Sequence, residues 1–274
     1  IYEPRFLNCM YGFRPNRGCH DAIKELYKRL NNTKICYIVD ADIKGFFDHM
    51  KHEWIIKFLY LYIKDPNIIG LVKKYLKVGV IDGGELMMNE EGSAQGNIIS
   101  PILANIYMHN VLTLWYKFII TKECKGDNFL IVYADDFVAG FQYKWEAENY
   151  YKLLKERMEK FGLQLEESKS RLLQSGAYIA RAKQKSGEST RLETFDFLGF
   201  TFYCGRSRKG MPYIMPKTSS KKFRQKIRDI KVWIYANRDQ SLKKLMGMLN
   251  LKLVGHYRYY GISFNGRMIS NYKQ

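Results

Sequence analysis

The sequence has few cysteines, and their positions define neither a disulfide framework nor a metal site. Five cysteines are scattered along the chain, and no two of them form a C-x-x-C pair. This pattern excludes a small disulfide-stabilised domain and a structural zinc site of the usual spacing. We therefore expect reduced thiols and a cytoplasmic protein.

Long hydrophobic runs are also missing. No apolar stretch reaches the ~18 residues that identify a membrane-spanning helix, and no signal peptide is visible. We therefore expect no membrane partner. The chain begins at Ile1 rather than Met, in the middle of a motif, so we expect further sequence upstream.

Negative charge is scarce. Asp and Glu number 27 against 45 Lys and Arg, which gives a net charge of +18 over 274 residues. Such an excess is typical of proteins that bind a polyanion, and nucleic acid is the commonest polyanion in cells. Hydrophobic residues make up 46% of the chain, enough to build a substantial core in one large domain or two smaller ones.

The most informative stretch is FLIVYADDFVAGF, residues 129–141. Two runs rich in Val, Ile, Tyr and Phe flank Asp135 and Asp136, which predicts a β-hairpin with carboxylates at its tip. Adjacent ionised carboxylates repel each other, and a divalent cation such as Mg²⁺ removes that cost. An Asp-Asp pair alone is also a common turn former, so the metal prediction depends on the rest of the sequence.

A second set of carboxylates follows the predicted strand ICYIVDADI, residues 35–43. Side chains two residues apart in a strand share a face, so Asp40 and Asp42 point the same way. Asp48 follows after KGFF. A carboxylate at this strand end, next to the acidic hairpin, would complete a two-metal site.

The order of elements predicts the fold class. From residue 35 to residue 173 the chain alternates strand, helices, hairpin, helix and strand, which predicts an α+β fold with a ferredoxin-like (split βαβ) sheet. We expect a helix at residues 22–30 capped by Asp21, and a long helix at residues 102–119. We expect residues 79–92 to form an inserted hairpin or loop.

Two loops carry candidate binding residues. GFRPNRG contains Arg14 and Arg17, which could hold phosphates or simply keep a surface loop soluble. GSAQG contains Gln95 and Gly96 before the long helix. Its backbone and the Gln95 amide could lie against a flat ligand such as a base pair, or the glycines could only cap the helix.

Basic residues concentrate near the carboxyl end. A predicted helix from about residue 218 to 237 has a positively charged exterior, and the turn GRSRKG precedes it. We favour a nucleic-acid groove over a solvated helix face for this region. The candidate nucleic-acid-binding residues are Arg206, Lys209, Lys217, Lys221, Lys222, Arg224 and Arg228.

Five motifs together resemble a known family. DADIKGFFD, GSAQGNIISP, YADDF, LQLEESKSRL and FDFLGF occur in the order and spacing of reverse transcriptases. GFRPNRG and GHYRYYG make the sequence similar to bacterial group II intron-encoded reverse transcriptases, or maturases, over nearly the whole chain. The resemblance implies partial fingers at residues 1–34, a palm with a primer-grip hairpin at 35–216, and a helical thumb at 217–274.

The resemblance also implies site roles. Asp42, Asp135 and Asp136 resemble the catalytic, metal-binding aspartates that hold two Mg²⁺ ions, with Mn²⁺ as a substitute, and Asp40 and Asp48 become structural. Lys169 matches a catalytic proton donor near the leaving pyrophosphate. The implied substrate-binding residues are Phe47, which would exclude ribonucleotides, Gln95 and Gly96 at the nascent base pair, and Arg14.

The implied function is RNA-directed DNA synthesis on intron RNA, with a maturase role in splicing. Its partners would be intron RNA, an RNA/DNA template-primer and dNTPs, and a homodimer is left open. The alternatives are a non-catalytic RNA-binding splicing cofactor and a reverse transcriptase of another bacterial retroelement. No Cys/His-rich H-N-H segment follows, so we expect DNA cleavage to reside elsewhere.

Overall fold

A computed structural model describes residues 1–77, 80–82, 85–87, 92 and 98–273. They form two compact units, an N-terminal unit, Ile1–Gln174, and a C-terminal unit, Ser175–Gln274. No helix in these ranges combines the length and the apolar character that crossing a bilayer requires. The mixture of helices and sheets confirms the predicted α+β class.

The described strands form three sheets. Their bounds are β1 Tyr37–Ala41, β2 Val80–Asp82, β3 Glu85–Met87, β4 Asn128–Tyr133, β5 Asp136–Phe141, β6 Arg171–Gln174, β7 Phe195–Phe197, β8 Phe200–Arg206 and β9 Pro212–Thr218. The short pair β2 and β3 confirms the hairpin predicted within residues 79–92.

The α-helices of the N-terminal unit are α1 Cys19–Asn32, α2 Phe46–His49, α3 His52–Tyr60, α4 Pro66–Lys77, α5 Ser100–Met108, α6 Thr121–Glu123 and α7 Lys144–Lys160. Those of the C-terminal unit are α8 Ala177–Lys185, α9 Ser220–Ala236, α10 Leu242–Tyr260 and α11 Gly266–Lys273. At the start of α1, the sequence prediction of Asp21 as the cap was wrong. Gly18 is the cap, and the Asp21 carboxylate accepts its N–H at 2.8 Å.

The main sheet has the strand order β4-β5-β1-β6, and each neighbouring pair is antiparallel. Helix α7 packs on β1, β5 and β6, and large aromatic side chains fill the core between sheet and helices. Strand β1 is central because its residues are apolar on both faces, and the acidic residues come only where it ends. The sheet therefore delivers the end of β1 to the β4–β5 turn.

The helical segment after residue 100 is longer and less regular than predicted. It continues from α5 through two π-helical stretches, His109–Thr113 and Tyr116–Ile120, to α6. Each widened turn contains extra backbone and shifts the helical register. Tyr107 and Tyr116 are therefore buried, whereas Trp115 is half-buried.

The first π-helical stretch is stabilised by an arginine from a neighbouring helix. Arg157 on α7 donates from Nε to the carbonyl of Val111 at 2.9 Å and from Nη2 to the carbonyl of Asn110 at 3.1 Å. Its guanidinium also lies over the Phe161 ring, 4.4 Å from the centroid. Partial burial lowers the pKa of Arg157. The guanidinium therefore satisfies carbonyls at the widened turn.

The C-terminal unit contains a hairpin that the sequence analysis grouped with residues 35–216. Strands β7, β8 and β9 form an antiparallel sheet in that order, and β9 packs on α8. The compact units therefore divide before this sheet, upstream of the predicted boundary at residue 217. The GHYRYYG segment explains the grouping, because Tyr259 Oη donates to the carbonyl of Leu198 at 2.8 Å, in the turn of FDFLGF.

Removing the Arg157 guanidinium should destabilise the protein. Arg157→Met leaves two partly buried carbonyls without their donors, so we expect a loss of roughly 2–4 kcal/mol in the free energy of unfolding. Arg29→Met is the matched control, since Arg29 forms a surface pair with Glu25 on α1 and should cost less than about 1 kcal/mol. Equal losses by denaturant titration would contradict the role of Arg157.

Candidate active site

The acidic hairpin turns at two residues. Tyr133 pairs with Asp136 across β4 and β5, so the turn consists of Ala134 and Asp135. Asp135 is half-buried, whereas Asp136 is exposed at the first position of β5. The predicted hairpin is confirmed, and the structure distinguishes the two carboxylates by their exposure to solvent.

Asp42 reaches this turn through the register of the sheet. Ala41 pairs with Phe137, and continuing the antiparallel register by one residue places Asp42 opposite Asp136. The Asp42 backbone is held from the other side, because its N–H donates to Ser170 Oγ at 3.2 Å and its carbonyl accepts from the Glu166 N–H at 2.8 Å. Sheet pairing thus fixes the third aspartate beside the hairpin.

Lys169 pairs with one of these carboxylates, that of Asp42. Its Nζ is 2.9 Å from Asp42 Oδ2. The hydrogen bond to Asp42 is the main cause that raises the pKa of Lys169, and the charges of Glu166 and Asp136 act in the same direction. Lys169 sits in the turn that precedes β6.

The surroundings of Asp135 disfavour the ionised form of its carboxyl group. Burial raises the pKa of Asp135, and the charge of Asp42 raises it further. Backbone hydrogen bonding opposes the shift. A divalent cation would relieve the cost of ionising Asp135 beside another carboxylate.

The oxygen-only donor set suits Mg²⁺ or Mn²⁺, which prefer carboxylates. Within the residues that the structure describes, no three His, Cys, Asp or Glu side chains converge closely enough to hold a metal ion. The Lys169 ammonium instead supplies positive charge to Asp42. The backbone therefore brings the aspartates together, and the lysine pairs with Asp42.

The other acids of DADIKGFFD are placed differently. Asp40 forms an ion pair with Arg171, the residue opposite it on β6, at 3.6 Å. Asp48 is exposed on α2. The structural role that the resemblance implies for both stays a prediction.

Phe47 lies against Gly92, the first residue of the motif that contains Gln95. It is half-buried, with its ring 5.3 Å from that of Phe46. Gly92 has a φ of +83°, and a Cβ on it would lie 2.7 Å from the carbonyl oxygen of Phe47. The GSAQG motif thus begins in backbone contact with Phe47. Gln95 and Gly96 lie outside the described residues.

Arg14 has an internal role. Its guanidinium contacts the Glu3 carboxylate at 2.8 Å and donates to the carbonyls of Leu7 at 2.8 Å and Met10 at 3.0 Å. The side chain is only 6% exposed. Arg17 similarly donates to the carbonyl of Asn8 at 2.8 Å. This geometry does not support the predicted substrate-binding role of Arg14; both arginines organise the loop that contains them.

The predicted basic surface belongs to the C-terminal unit. No residue of α9 is buried, and its half-buried apolar side chains alternate with exposed cations. Lys217 on β9 lies over the Tyr203 ring, 4.8 Å from the centroid. The exposed cations among the predicted set are Arg206, Lys209, Lys221, Lys222, Arg224 and Arg228.

Sequence reasoning missed one residue that holds the Asp42 backbone and one that holds the FDFLGF turn of the C-terminal unit. The hydroxyl of Ser170 contacts the Asp42 backbone, and the phenol of Tyr259 contacts the FDFLGF turn. Both lie inside motifs that were noticed, LQLEESKSRL and GHYRYYG, but sequence spacing gave no indication of their partners. Their contacts span more than 60 residues of chain, as the separations of 128 and 61 residues show.

Comparison with known proteins agrees with the geometry. Residues 4–202 match the family model described as reverse transcriptase (RNA-dependent DNA polymerase). The match spans more than half of the chain, so the chain belongs to the reverse transcriptase family. The resemblance drawn from the motifs is confirmed.

Curated relatives include proteins of introns. The group II intron-encoded protein LtrA of Lactococcus lactis subsp. cremoris is 38% identical over 127 residues, which cover 46% of this chain and 20% of LtrA. An uncharacterized 91 kDa protein in a cob intron of Schizosaccharomyces pombe is 40% identical over 112 residues, covering 40% of this chain and 14% of that protein. The aligned region is thus a fifth or less of these relatives.

Solved structures of telomerase share the fold. Apo telomerase from Candida tropicalis superposes with a TM-score of 0.51 at 16% identity, over 74% of this chain and 35% of that one. Telomerase from Candida albicans, in complex with a TWJ fragment of telomeric RNA, gives 0.51 at 13% identity, over 88% of this chain and 43% of that one. At these identities the comparison shows the fold alone.

The raised pKa of Asp135 predicts how metal and pH affect stability. A carboxyl whose folded pKa is raised contributes stability below its unfolded pKa of about 4, and that stability is lost as pH rises through the folded pKa. At pH 7 in EDTA, Asp135→Asn should therefore raise the unfolding midpoint, by roughly 2–4 °C per kcal/mol gained. The gain should shrink toward pH 4.

Mg²⁺ should reverse the order of the unfolding midpoints of the parent protein and Asp135→Asn. Adding it should raise the midpoint of the parent protein more than that of Asp135→Asn. Asp136→Asn is the exposed comparison and should give a smaller gain in EDTA. An unfolding midpoint of Asp135→Asn below that of the parent at pH 7 in EDTA would show that the ionised carboxylate does not destabilise the fold.

Proposed function

We propose that this chain is the polymerase part of a group II intron-encoded reverse transcriptase, which copies intron RNA into DNA. The observation that carries the proposal is the sheet register that brings Asp42 beside Asp135 and Asp136, with Lys169 on the Asp42 carboxylate. Family membership supports RNA-directed DNA synthesis. The intron-encoded relatives support the intron assignment.

The fold supports a right-hand polymerase. The chain order strand, helices, hairpin, helix, strand, combined with the spatial order β4-β5-β1-β6, supports the proposal of a ferredoxin-like sheet. We assign this sheet to the palm, residues 1–34 to partial fingers, and residues 217–274 to a helical thumb. The β7–β8 hairpin, which contains FDFLGF, would serve as the primer grip, and it belongs to the C-terminal unit.

The carboxylates would hold two Mg²⁺ ions, or Mn²⁺ in their place. Asp42 and Asp135 would supply oxygens to both, and Asp136, which is exposed, would orient one ion or its water. When bound, the ions would lower the pKa of the primer 3′-hydroxyl and neutralise charge on the departing pyrophosphate. The chain itself contributes rigid placement of the carboxylates through the paired strands.

Lys169 has to change partner during such a reaction. Its contact with Asp42 holds the proton tightly, because the carboxylate raises the lysine pKa. The ammonium can donate a proton to pyrophosphate only after exchanging this carboxylate for a phosphate oxygen. Its side chain is 65% exposed, which leaves solvent-accessible space for that exchange.

The remaining substrate contacts are assigned by family likeness. Phe47, anchored on Phe46, would abut the sugar of the incoming dNTP and disfavour a 2′-hydroxyl. Gln95 and Gly96 would lie at the nascent base pair. The cations of α9 and of the β8–β9 turn would contact the template-primer and the intron RNA by their phosphates.

A maturase role in splicing is compatible with the same chain. A non-catalytic cofactor would need the basic helix but would not need the aspartates and Lys169, so their assembly in one place favours catalysis. A reverse transcriptase of another retroelement would share the site, and the intron-encoded relatives weigh against it. We place the protein in the cytoplasm and leave a homodimer open.

Substituting the aspartates one at a time tests the polymerase. In the complete protein, Asp42→Asn and Asp135→Asn should each lower kcat for primer extension on RNA by at least about a thousandfold, because each removes a carboxylate that would hold both ions. Asp40→Asn is the matched control from the same strand end. It should stay within about tenfold of the parent, since Asp40 pairs with Arg171.

The assignment would be wrong if Asp42→Asn extended primers within tenfold of the parent. It would also be wrong if Asp40→Asn were as inactive as Asp42→Asn while remaining folded. Extension by both Asp42→Asn and Asp135→Asn, together with retained RNA binding and splicing, would favour the non-catalytic cofactor.

Salt dependence of RNA binding tests the basic helix. Replacing Lys221, Lys222 and Arg224 together by Ala should weaken binding to structured intron RNA. The slope of log K against log salt should flatten by up to about 2–3, because each lost phosphate contact removes slightly less than one. Filter binding between low and physiological salt measures both quantities.

Three exposed lysines of the N-terminal unit supply the control. Lys24, Lys28 and Lys34, replaced together by Ala, remove the same charge, and the slope should change less than in the α9 variant. Equal slopes for the two triple variants would leave α9 as one part of a diffuse positive surface. In that case the RNA path would be sought near Arg206 and Lys209.

A further inference from the structure

The turn that carries Asp135 has a backbone conformation that its own sequence does not favour. Ala134 has a φ of 57°, in the left-handed region where a Cβ meets neighbouring backbone and glycine is the usual residue. Ala134 is also only 4% exposed. A non-glycine residue keeps such a conformation where the surrounding structure over-determines it. The turn is therefore held from outside.

The GFRPNRG loop provides that support. Just before the loop, the chain runs parallel to β4: Val132 N–H donates to the carbonyl of Cys9, and Tyr11 N–H donates to the carbonyl of Val132, both at 2.8 Å. The next residue is Gly12. A Cβ on Gly12 would lie 2.5 Å from the Ala134 nitrogen, a distance that no side chain can adopt. Backbone thus packs directly on backbone at the turn.

A buried amide fixes Gly12 in this position. Asn105 lies on α5, is 1% exposed, and donates from Nδ2 to the Gly12 carbonyl at 2.8 Å. Asn110, in the π-helical stretch that follows, uses the same kind of amide differently, because it donates to the carbonyl of Ile106 in its own helical segment. The Asn105 amide therefore links α5 to the turn through one intervening residue.

We propose that Asn105 and Gly12 are positioning residues that hold the Asp135 carboxylate in place through Ala134. Neither touches substrate in this role. The loop that resembles a phosphate-binding segment by its arginines acts on the site through its glycine. The inference rests on the proposed polymerase function for its kinetic test only, since the conformation of the turn can be measured without activity.

The experiment compares asparagines in one helical segment. Asn105→Asp keeps the shape and replaces the donor by an acceptor, and Asn105→Ser is a neutral side chain too short to reach Gly12. Both should lower kcat for primer extension roughly 10- to 100-fold, because a small misplacement of a catalytic group costs that much. The KM for dNTP should stay within about twofold, since substrate contacts are intact.

Hydrogen exchange supplies the readout that is independent of activity. Amides of the segment 129–141 should exchange faster in both Asn105 variants, because the turn loses its external support. Asn110→Asp is the control and should alter neither kcat nor exchange at the turn. If the parent extends no primer, the proposed function fails, and the exchange rates still decide the role of Asn105.

Glycine at position 134 should make the support from Asn105 and Gly12 less necessary. Ala134→Gly relieves the unfavourable φ, so adding Asn105→Ser to it should cost less than about threefold in kcat. If Asn105→Ser lowered kcat as much in the Ala134→Gly protein as in the parent, the proposal would be overturned. The proposal would also be overturned if Asn105→Ser had the parental kcat and exchange rates, or if Asn110→Asp lowered kcat as much as the Asn105 variants do. Failure of both Asn105 variants to fold would overturn it as well, because the amide would then serve the stability of the core.

Discussion

The register between β1 and β5 depends on burial of both faces of β1. Ile38, Val39 and Ala41 are each 4% exposed or less. A slip of one residue would turn every side chain of the strand to the opposite face and separate Asp42 from the hairpin tip. The hydrophobic core thus specifies the relative positions of the carboxylates more strictly than any contact between the carboxylates themselves.

Charge is arranged around this sheet in matched pairs. Asp40 near the end of β1 and Asp42 just after it each meet a cation on or just before β6, Arg171 at 3.6 Å and Lys169 at 2.9 Å. Among the described residues no such cation pairs with Asp135, and burial raises its pKa. Ionising the half-buried carboxylate on the turn therefore carries a cost, despite the excess of positive charge in the chain.

Sequence patterns predicted what depends on local chemistry. The acidic hairpin, the strand before Asp42 and the α+β order follow from alternation and turn residues, and the structure contains all three. The internal role of Arg14 depends on Glu3 and on loop carbonyls, and the π-helical stretches depend on packing against Arg157. Neither the role of Arg14 nor the π-helical stretches have a local sequence pattern, so both could be seen only in the three-dimensional structure.

The pairing of β1 with strands far ahead in the chain has a consequence for synthesis on the ribosome. Tyr37 pairs with Phe141 and with Gln174, whereas β8 pairs with a strand that follows it directly. At about 5–20 residues per second, roughly 5–20 s pass before the first partner of β1 emerges. During that interval an apolar strand has two unpaired edges, which makes the nascent N-terminal unit a natural client of chaperones.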